Sequence, residues 1–584
     1  MKKITILTFI LFFCFQNMKA QNYNWARYVS TANGSNATDV AVDSQGNTYT
    51  VGHFLNSVDF NPSPTVNNSI NESSTSVGNI FCTKYDQNGN FLWAIPVGGK
   101  NNLSANGPFY GNPRIEIDKS SGYIYITGDY DAYVIDFDPG PGTFFLPPPQ
   151  NSTANGTYFL AKYTTNGTFV WAKTFSQLFS FSELDTDSQG NVYLIGNFSG
   201  TIDLDPSDGI YNLVSAGNQQ QFFLLKLNSN GEFIWANQFG DPTKVDTVWD
   251  VGVDNQDNIY IGGLFKGTMD MDPSAGQTIL QSPNTSDDAF LAKYNSNGEL
   301  LWAQMFASQQ ISVEVVYSIA FDTNNNVYCS GSFSGDIDFD NSSNTFNLSP
   351  VGFRSLFILK LSSNGQFIFA KTIGTIANNT ENVLDIKVDN LENLYLTGSF
   401  VGTLDCDPDA GTYLLTNQSG NNDVFIVALS STNGQFHWAK SFGSTYYDDG
   451  RRMAIHPNSN RITLVGSVYN TTTLDFDPPN GVYFTPGIAG YGTFLINYTR
   501  NSLSNNEDLK LPSIALIPNP SNNFITIDSS EPIDYFQLFD WNGKCLMTKN
   551  NSTILNVQDL PPGVYLLEIK SNNVLVSKKV VVSN

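Results

Sequence analysis

This 584-residue chain is poor in the side chains that most catalytic and metal-binding motifs require. It has three histidines, His53, His437 and His456, at different positions of the internal repeat set out below, and five cysteines scattered at 14, 82, 329, 406 and 545. No His-Glu-x-x-His, Gly-x-Ser-x-Gly, phosphate loop or zinc-spaced cysteine cluster occurs, so those chemistries lack their residues. Disulfide scaffolds are short and cysteine-dense, so stability here must come from a packed core. Positive charge is scarce, with 29 Lys and Arg against 53 Asp and Glu and a net charge of -24. Nucleic acid is thereby excluded as a partner, because phosphate backbones demand clustered Lys and Arg. The acidic surplus suits a solvated extracellular surface or cation binding. No stretch has the capped 3.6-residue apolar period of a helix.

Long apolar runs are equally scarce. Residues 1–20, MKKITILTFILFFCFQNMKA, place Lys2 and Lys3 before an apolar run from Ile4 to Phe15 and end on Ala20, the three parts of a secretory signal peptide. That run falls short of the roughly 20 residues a membrane-spanning helix needs, and nothing later approaches that length. The expectation is a mature chain that begins at residue 21, leaves the cytoplasm through the periplasm, and has no transmembrane segment.

What fills the chain is repetition. An aromatic residue followed by Ala recurs at Trp25, Trp93, Trp171, Trp235, Trp302, Phe369 and Trp438. Between these markers come a short apolar segment such as DVAVD, a turn such as DSQGN, a strand pattern such as NTYTVGHF, a variable stretch, and FxxKxxxNG leading to the next marker. Tyr49, Tyr125, Tyr193, Tyr260, Tyr328 and Tyr395 hold one place in the unit, as pleated strands favour. Asn-Gly supplies the positive backbone angles of a tight hairpin. Four short antiparallel strands per unit, repeated radially, make the blade of a β-propeller. The seventh unit stops at NYTRNSLSNNED without a fourth strand, and the opening NWARYVS supplies one. Pairing of the two ends would close the ring and leave no exposed edge. The fold expected is therefore all-β: a seven-bladed β-propeller over residues 21–499, closed by the N-terminal strand. The recurrent aromatics are read as packing between neighbouring sheets.

The pattern W-A, D-x-x-G-N-x-Y-x-x-G, F-x-x-K-x-x-x-N-G resembles the bacterial SBBP repeats, which implies a seven-bladed propeller. Local departures are SSGYIY in the second copy, Phe369 for Trp, and HPNSNR in the seventh. After a polar linker at 500–510, residues 511–584 change to alternating strands separated by Pro, Asn-Gly and Asp turns, enough for a small Ig-like β-sandwich. PNP at 518–520, LFDWNGK at 538–544, GVYLLEI at 563–569 and the terminal KKVVV resemble the type A sorting domain of the type IX secretion system of Bacteroidetes-type bacteria. That resemblance implies engagement of the type IX machinery, export across the outer membrane, and release or display at the cell surface.

Ligands are expected on the propeller side that receives the long variable loops. The recurrent chemical feature there is Asp-x-Asp: Asp136 and Asp138, Asp203 and Asp205, Asp270 and Asp272, Asp338 and Asp340, Asp405 and Asp407, Asp475 and Asp477, with Asp59 and Asn61 in the first unit. In extended chain such a pair shares one face about 6.6 Å apart, and can supply oxygen ligands to Ca²⁺. The competing account is structural: the first Asp caps a turn and the second precedes Pro. Function is expected to be that of a secreted or surface binding scaffold for a glycan, protein or cation. A polysaccharide-acting hydrolase or lyase, or an adhesion or surface-layer component, are the alternatives, because fold does not settle function.

Overall fold

The computed structural model describes residues 22–30, 34–55, 57–61, 68–71, 79–98, 112–130, 136–146, 157–175, 179–215, 217, 219–375, 381–417, 421–457, 459, 461–470, 476, 490–499, 514–529, 532–539, 545–571 and 574–583. The leader at 1–20, the linker at 500–510, Asp475 and Asp477 lie outside them. The chain divides into two compact units, residues 1–501 and 502–584. Among the described residues it is β-structure without an α-helix.

Among the described residues, the first unit contains seven sheets built on one four-stranded antiparallel plan, one of them extended by two further strands. In the first, Ser35–Val42, Thr48–Phe54, Asn79–Tyr85 and Phe91–Val97 pair in chain order. The leading strands of the seven sheets are Ser35–Val42, Arg114–Ile117, Phe179–Thr186, Thr247–Val253, Val315–Phe321, Glu381–Val388 and Asp449–Ile455. Each packs against the leading strand of the next sheet, and the last packs against the first. The seventh sheet takes its outer strand from the start of the chain: Asn22–Ser30 pairs antiparallel with Gly490–Thr499, with Trp25 opposite Asn497 and Tyr28 opposite Phe494.

Local chemistry explains why the plan repeats. Gly89 and Gly231 of the Asn-Gly turns have φ of 76° and 73°, which only glycine adopts without cost. The aromatic marker of one sheet lies on that turn in the next: a Cβ on Gly89 would sit 2.6 Å from the Trp25 ring, and one on Gly231 2.8 Å from Trp171. Trp25 and Trp302 also donate their indole N–H groups to Gln87 O and Ser363 O of the following sheet.

A buried Asp–Tyr–Lys arrangement ties the sheets further. Asp187 caps its turn by accepting from the Gln189 and Asn191 amides, Tyr193 donates its hydroxyl to the same carboxylate at 3.1 Å, and Lys226 Nζ lies 3.7 Å away. Lys226 then donates to Ser296 O in the next sheet. Lys293 and Lys360 repeat this bond to Ser363 O and Ser431 O. In the seventh sheet all three positions change together, to His456, Thr463 and Asn497, which hydrogen-bond to one another at 2.9–3.1 Å.

The variable stretch between second and third strands holds more order than the sequence pattern indicates. It forms small hairpins, such as Thr201–Asp203 with Asn212–Val214 and Thr268–Asp270 with Ile279–Gln281. The second unit has a three-stranded sheet, Ile514–Ile517, Phe524–Ser529 and Ile554–Asn556, and a four-stranded one. Residues of both sheets, including Ile525, Phe536, Leu555, Leu567 and Val580, form a common buried core.

Candidate functional site: a charged axial cavity

Among the described residues, six of the seven leading strands carry one extra residue, Arg114–Ile117 being the exception. The register slips between Ala37 and Asp39, Phe181 and Glu183, Val248 and Asp250, Val316 and Ser318, Val383 and Asp385, and Gly450 and Arg452. Such bulges kink a strand and re-aim the side chain that follows. Glycine opposite the bulge makes it possible: a Cβ on Gly331 would lie 1.9 Å from Val315 O, and one on Gly196 2.3 Å from Ser180 O.

The re-aimed residues line a cavity of about 910 Å³ enclosed by the leading strands. Asp39, Glu116, Glu183, Asp185, Asp250, Ser318, Asp385, Lys119, Lys387 and Arg452 contribute to its wall, which extends to the tight turns at Ser44–Gln45 and Ser120–Gly122. Glu183 is the hub. Its Oε2 lies 3.2 Å from Arg114 Nε of the second sheet and 2.9 Å from Arg452 Nη2 of the seventh. Lys119 pairs with Asp185 at 2.7 Å and Lys387 with Asp385 at 2.9 Å.

Several carboxylates also join neighbouring sheets through main-chain amides. Asp39 Oδ2 accepts from Ile115 N at 2.9 Å, Asp250 Oδ2 from Ile319 N at 2.6 Å, and Asp385 Oδ2 from Met453 N at 2.6 Å. The other oxygen of Asp39 and of Asp250 accepts from the next amide in its own strand.

Carboxyl groups outnumber cations on this wall, and their protonation shows it. Burial, reinforced by the Glu183 charge, pushes Asp39 up to about 6 and Asp250 up to about 7. Burial and then Asp185 raise Glu116 well above the carboxylate range. Burial alone would lower Arg452, yet Glu183, Asp385, Asp39 and Asp250 together raise it. The cavity therefore sets carboxyl groups that burial biases toward protonation beside fixed cations, a polar wall suited to positively charged or hydroxyl-rich ligand groups.

The Asp-x-Asp residues lie elsewhere, in the small hairpins between second and third strands. The middle residue packs inward, with Phe137, Leu204, Met271, Phe339 and Cys406 fully buried. The carboxylates bend back onto their own loop. Oδ1 of Asp203 accepts from the amides of Asp205 and Tyr211, that of Asp270 from Asp272 and Thr278, and that of Asp338 from Asp340 and Phe346. Asp136 and Asp405 do the same with Asp138 and Phe144, and with Asp407 and Tyr413. The second Asp turns the chain again: Asp138, Asp205, Asp272, Asp340 and Asp407 accept from the amides of Gly140, Ser207, Ser274, Ser342 and Asp409. Among the described residues, no three His, Cys, Asp or Glu side chains form a metal-binding group. Each hairpin keeps its own pair, and the pairs are not brought together into one centre.

Sequence reasoning passed over the axial residues and looked to the loops. The signal was present in the repeat itself: at one aligned position the units read Asp39, Arg114, Glu183, Asp250, Ser318, Asp385 and Arg452, a change of charge at a place otherwise uniform in its neighbours.

Comparison with known proteins places part of the chain. The secretion system C-terminal sorting domain family matches residues 515–583. The chain thus carries a type IX sorting module at its C-terminal end, and the protein is secreted or displayed at the cell surface. A curated relative, an uncharacterized WD repeat-containing protein of Acanthamoeba polyphaga mimivirus, is 24% identical over 77% of this chain. The chain spans about a third of that protein's length, 36%. Among solved structures, a PL25 ulvan lyase is 12% identical, with 75% of this chain and 93% of that one covered at a TM-score of 0.36. An extracellular domain of a one-component system from B. thetaiotaomicron is 11% identical, with 96% and 100% covered at a TM-score of 0.16. Likenesses this distant carry no functional argument. No helix among the described residues is long and apolar enough to cross a membrane.

Proposed function

We propose that this is an exported binding protein of a Bacteroidetes-type bacterium. In this reading a signal peptide at 1–20 is removed, residues 21–499 form an SBBP-type seven-bladed β-propeller closed by the N-terminal strand, and a linker at 500–510 leads to an Ig-like sorting sandwich at 511–584. The seven four-stranded sheets, the end-to-end pairing of Asn22–Ser30 with Gly490–Thr499, and the two-sheet core of the second unit support it. The ligand is a polar extracellular molecule, a glycan or a surface-protein segment, taken up at the axial cavity.

The observation that carries this proposal is convergence. The positions at which the units depart from one another in charge meet on one wall, where Arg452 reaches Glu183 from a sheet 269 residues away in sequence. Binding is favoured over hydrolysis because Asp39 and Asp250 spend both oxygens on main-chain amides, while Glu183 is held between two arginines. The Asp-x-Asp carboxylates, which accept from the amides of their own loops, are assigned to loop building.

The test incubates the mature protein with a panel of extracellular polysaccharides and isolated cell surfaces, reading binding and chain depolymerisation in the same samples. The expected result is saturable binding without turnover, lost in Arg452→Met. Depolymerisation abolished by that substitution would assign the cavity to a polysaccharide-acting enzyme instead. Binding unaffected by Arg452→Met would move the ligand to the loop-rich side.

A further inference from the structure

The bulge that aims one side chain at the axis leaves the residue before it toward the loop-rich end of the leading strand. That place is held by Thr38, Ser182, Trp249, Tyr317, Leu384 and Arg451. Where it is a small hydroxyl residue it serves the scaffold: Thr38 donates to Pro113 O at 2.7 Å, and Ser182 Oγ accepts from Asn197 Nδ2 at 2.9 Å. In the fourth and fifth sheets, which are neighbours, it becomes aromatic instead. Trp249 is the one tryptophan of residues 21–499 outside the marker series, and it is 43% exposed. Its ring meets that of Tyr317 edge to face, with centroids 5.7 Å apart and planes at 71°.

A third departure from the repeat joins them. Arg354 immediately precedes the third strand of the fifth sheet, Ser355–Leu361, and its Nη2 donates to the Tyr317 hydroxyl at 3.0 Å. The same place in the third and sixth sheets is taken by neutral amides, Gln220 and Asn422, which donate to the hydroxyls of Thr247 and Ser399. In the fourth sheet it is Asp287, paired with Lys266. Arg354 Nε is shut away from water without an acceptor, and among the described residues no carboxylate pairs with the guanidinium. In a chain with 53 acids against 29 cations, an arginine without an acid is an unanswered charge. A pyranose ring carries both complements within its own width. Its C–H groups rest on the electron-rich face of an aromatic ring, and the oxygens at its rim accept from guanidinium and phenol donors. A carboxylate or sulfate on that rim would meet the guanidinium in a charge-assisted bond. A purely apolar partner would cover the rings and leave Arg354 unanswered.

We propose that Trp249, Tyr317 and Arg354 form a corner that binds one acidic pyranose unit, a uronate or a sulfated sugar, of an extracellular polysaccharide. The indole stacks on the sugar ring, Arg354 takes the anionic group, and Tyr317 holds both in place. None of the three side chains lines the axial cavity, so the corner is a separate site and does not rest on what the cavity binds.

The experiment titrates the full mature protein with tetragalacturonate, a sulfated galactan tetrasaccharide and neutral cellotetraose by isothermal calorimetry, and maps oxidation of Trp249 with and without each sugar. Saturable binding of an acidic probe, about tenfold tighter than cellotetraose and with Trp249 protected, is expected. Trp249→Ala and Arg354→Gln should each weaken it about tenfold, and Trp249→Phe should keep most of it. Phe145→Ala, at an exposed aromatic of a hairpin loop, should leave it unchanged. Arg452→Met separates the two sites. Acidic-sugar binding that survives Arg452→Met and is lost in Trp249→Ala belongs to the corner, whereas binding lost in Arg452→Met and kept in Trp249→Ala belongs to the cavity and overturns this proposal alone. Failure of both acidic probes to bind, or equal binding of the neutral one, overturns it as well. So does a dimer, in place of sugar binding, that Trp249→Ala dissolves on size-exclusion chromatography, which would assign the corner to a protein contact.

Discussion

At the scale of single residues, the bulged leading strand and the glycine opposite it are one device. The extra residue pushes a carbonyl into the neighbouring strand, and only a residue without Cβ leaves it room. Gly331→Ala would set a methyl 1.9 Å from Val315 O, a conflict between two backbones in which no flexible side chain can yield. We expect a loss of about 3 kcal/mol, at the upper end for an overpacked core, read from urea denaturation. Gly122 is the control. It has φ of 70°, but a Cβ there meets nothing within 4 Å, so Gly122→Ala should cost only the left-handed strain of roughly 1 kcal/mol. A loss at Gly331, whose φ is not positive, no larger than that at Gly122 would show that the close approach to Val315 O does not explain the recurrent glycine.

At the scale of elements, the strand Asn22–Ser30 completes a sheet whose other members lie more than 400 residues away in sequence. It buries Trp25 against the Gly89 turn and covers the edge of Gly490–Thr499. Deleting residues 22–30 would open that edge and unseat the contact between the last sheet and the first. The expected outcome is a broadened or divided unfolding transition and association on size-exclusion chromatography; a monomer with an unchanged single transition would contradict it. This pairing was legible in the sequence, because the seventh unit lacks a strand that the N-terminus supplies in the same words. The Asn-Gly turns and the Tyr positions were legible for the same reason: their causes are local. Two things were not. The facing of Asp39, Glu183 and Arg452 toward the axis depends on a bulge that strict alternation hides. The Asp-x-Asp pairs left calcium ligation and turn building both open, because alternation puts both carboxylates on one face whichever holds; Asp203 and Asp205 accept from the amides of their own loop, as short acidic side chains do.

At the scale of the whole molecule, the distribution of strained acids sets the response to pH. Burial, the largest influence in each case, raises Asp250 to about 7, Asp39 to about 6 and Asp246 to about 6, against ordinary values near 4. A raised carboxyl binds more protons folded than unfolded between those two values, so its contribution is full below pH ~4 and is lost as pH climbs through the folded value. A second set works in the opposite sense. At Asp322 and Asp118 burial pushes upward, but hydrogen bonds from Asn326 and from Ser120 and Ser121 outweigh it and hold them below the usual range. Their contribution is present above the unfolded value and vanishes only as pH falls through the lowered one. The two sets therefore do not cancel across neutral pH; they divide the scale, the turn-capping acids governing the acid limb and the axial acids and Asp246 the limb from about 4 to 7. Tm should peak near pH 4 and decline through about pH 7 at fixed ionic strength, measured by scanning fluorimetry in the presence of EDTA. A Tm that rises steadily to pH 8 would mean that the arginines and lysines of the axis hold Asp39 and Asp250 ionised throughout, and the cavity would then present a fixed array of ion pairs instead of exchangeable protons.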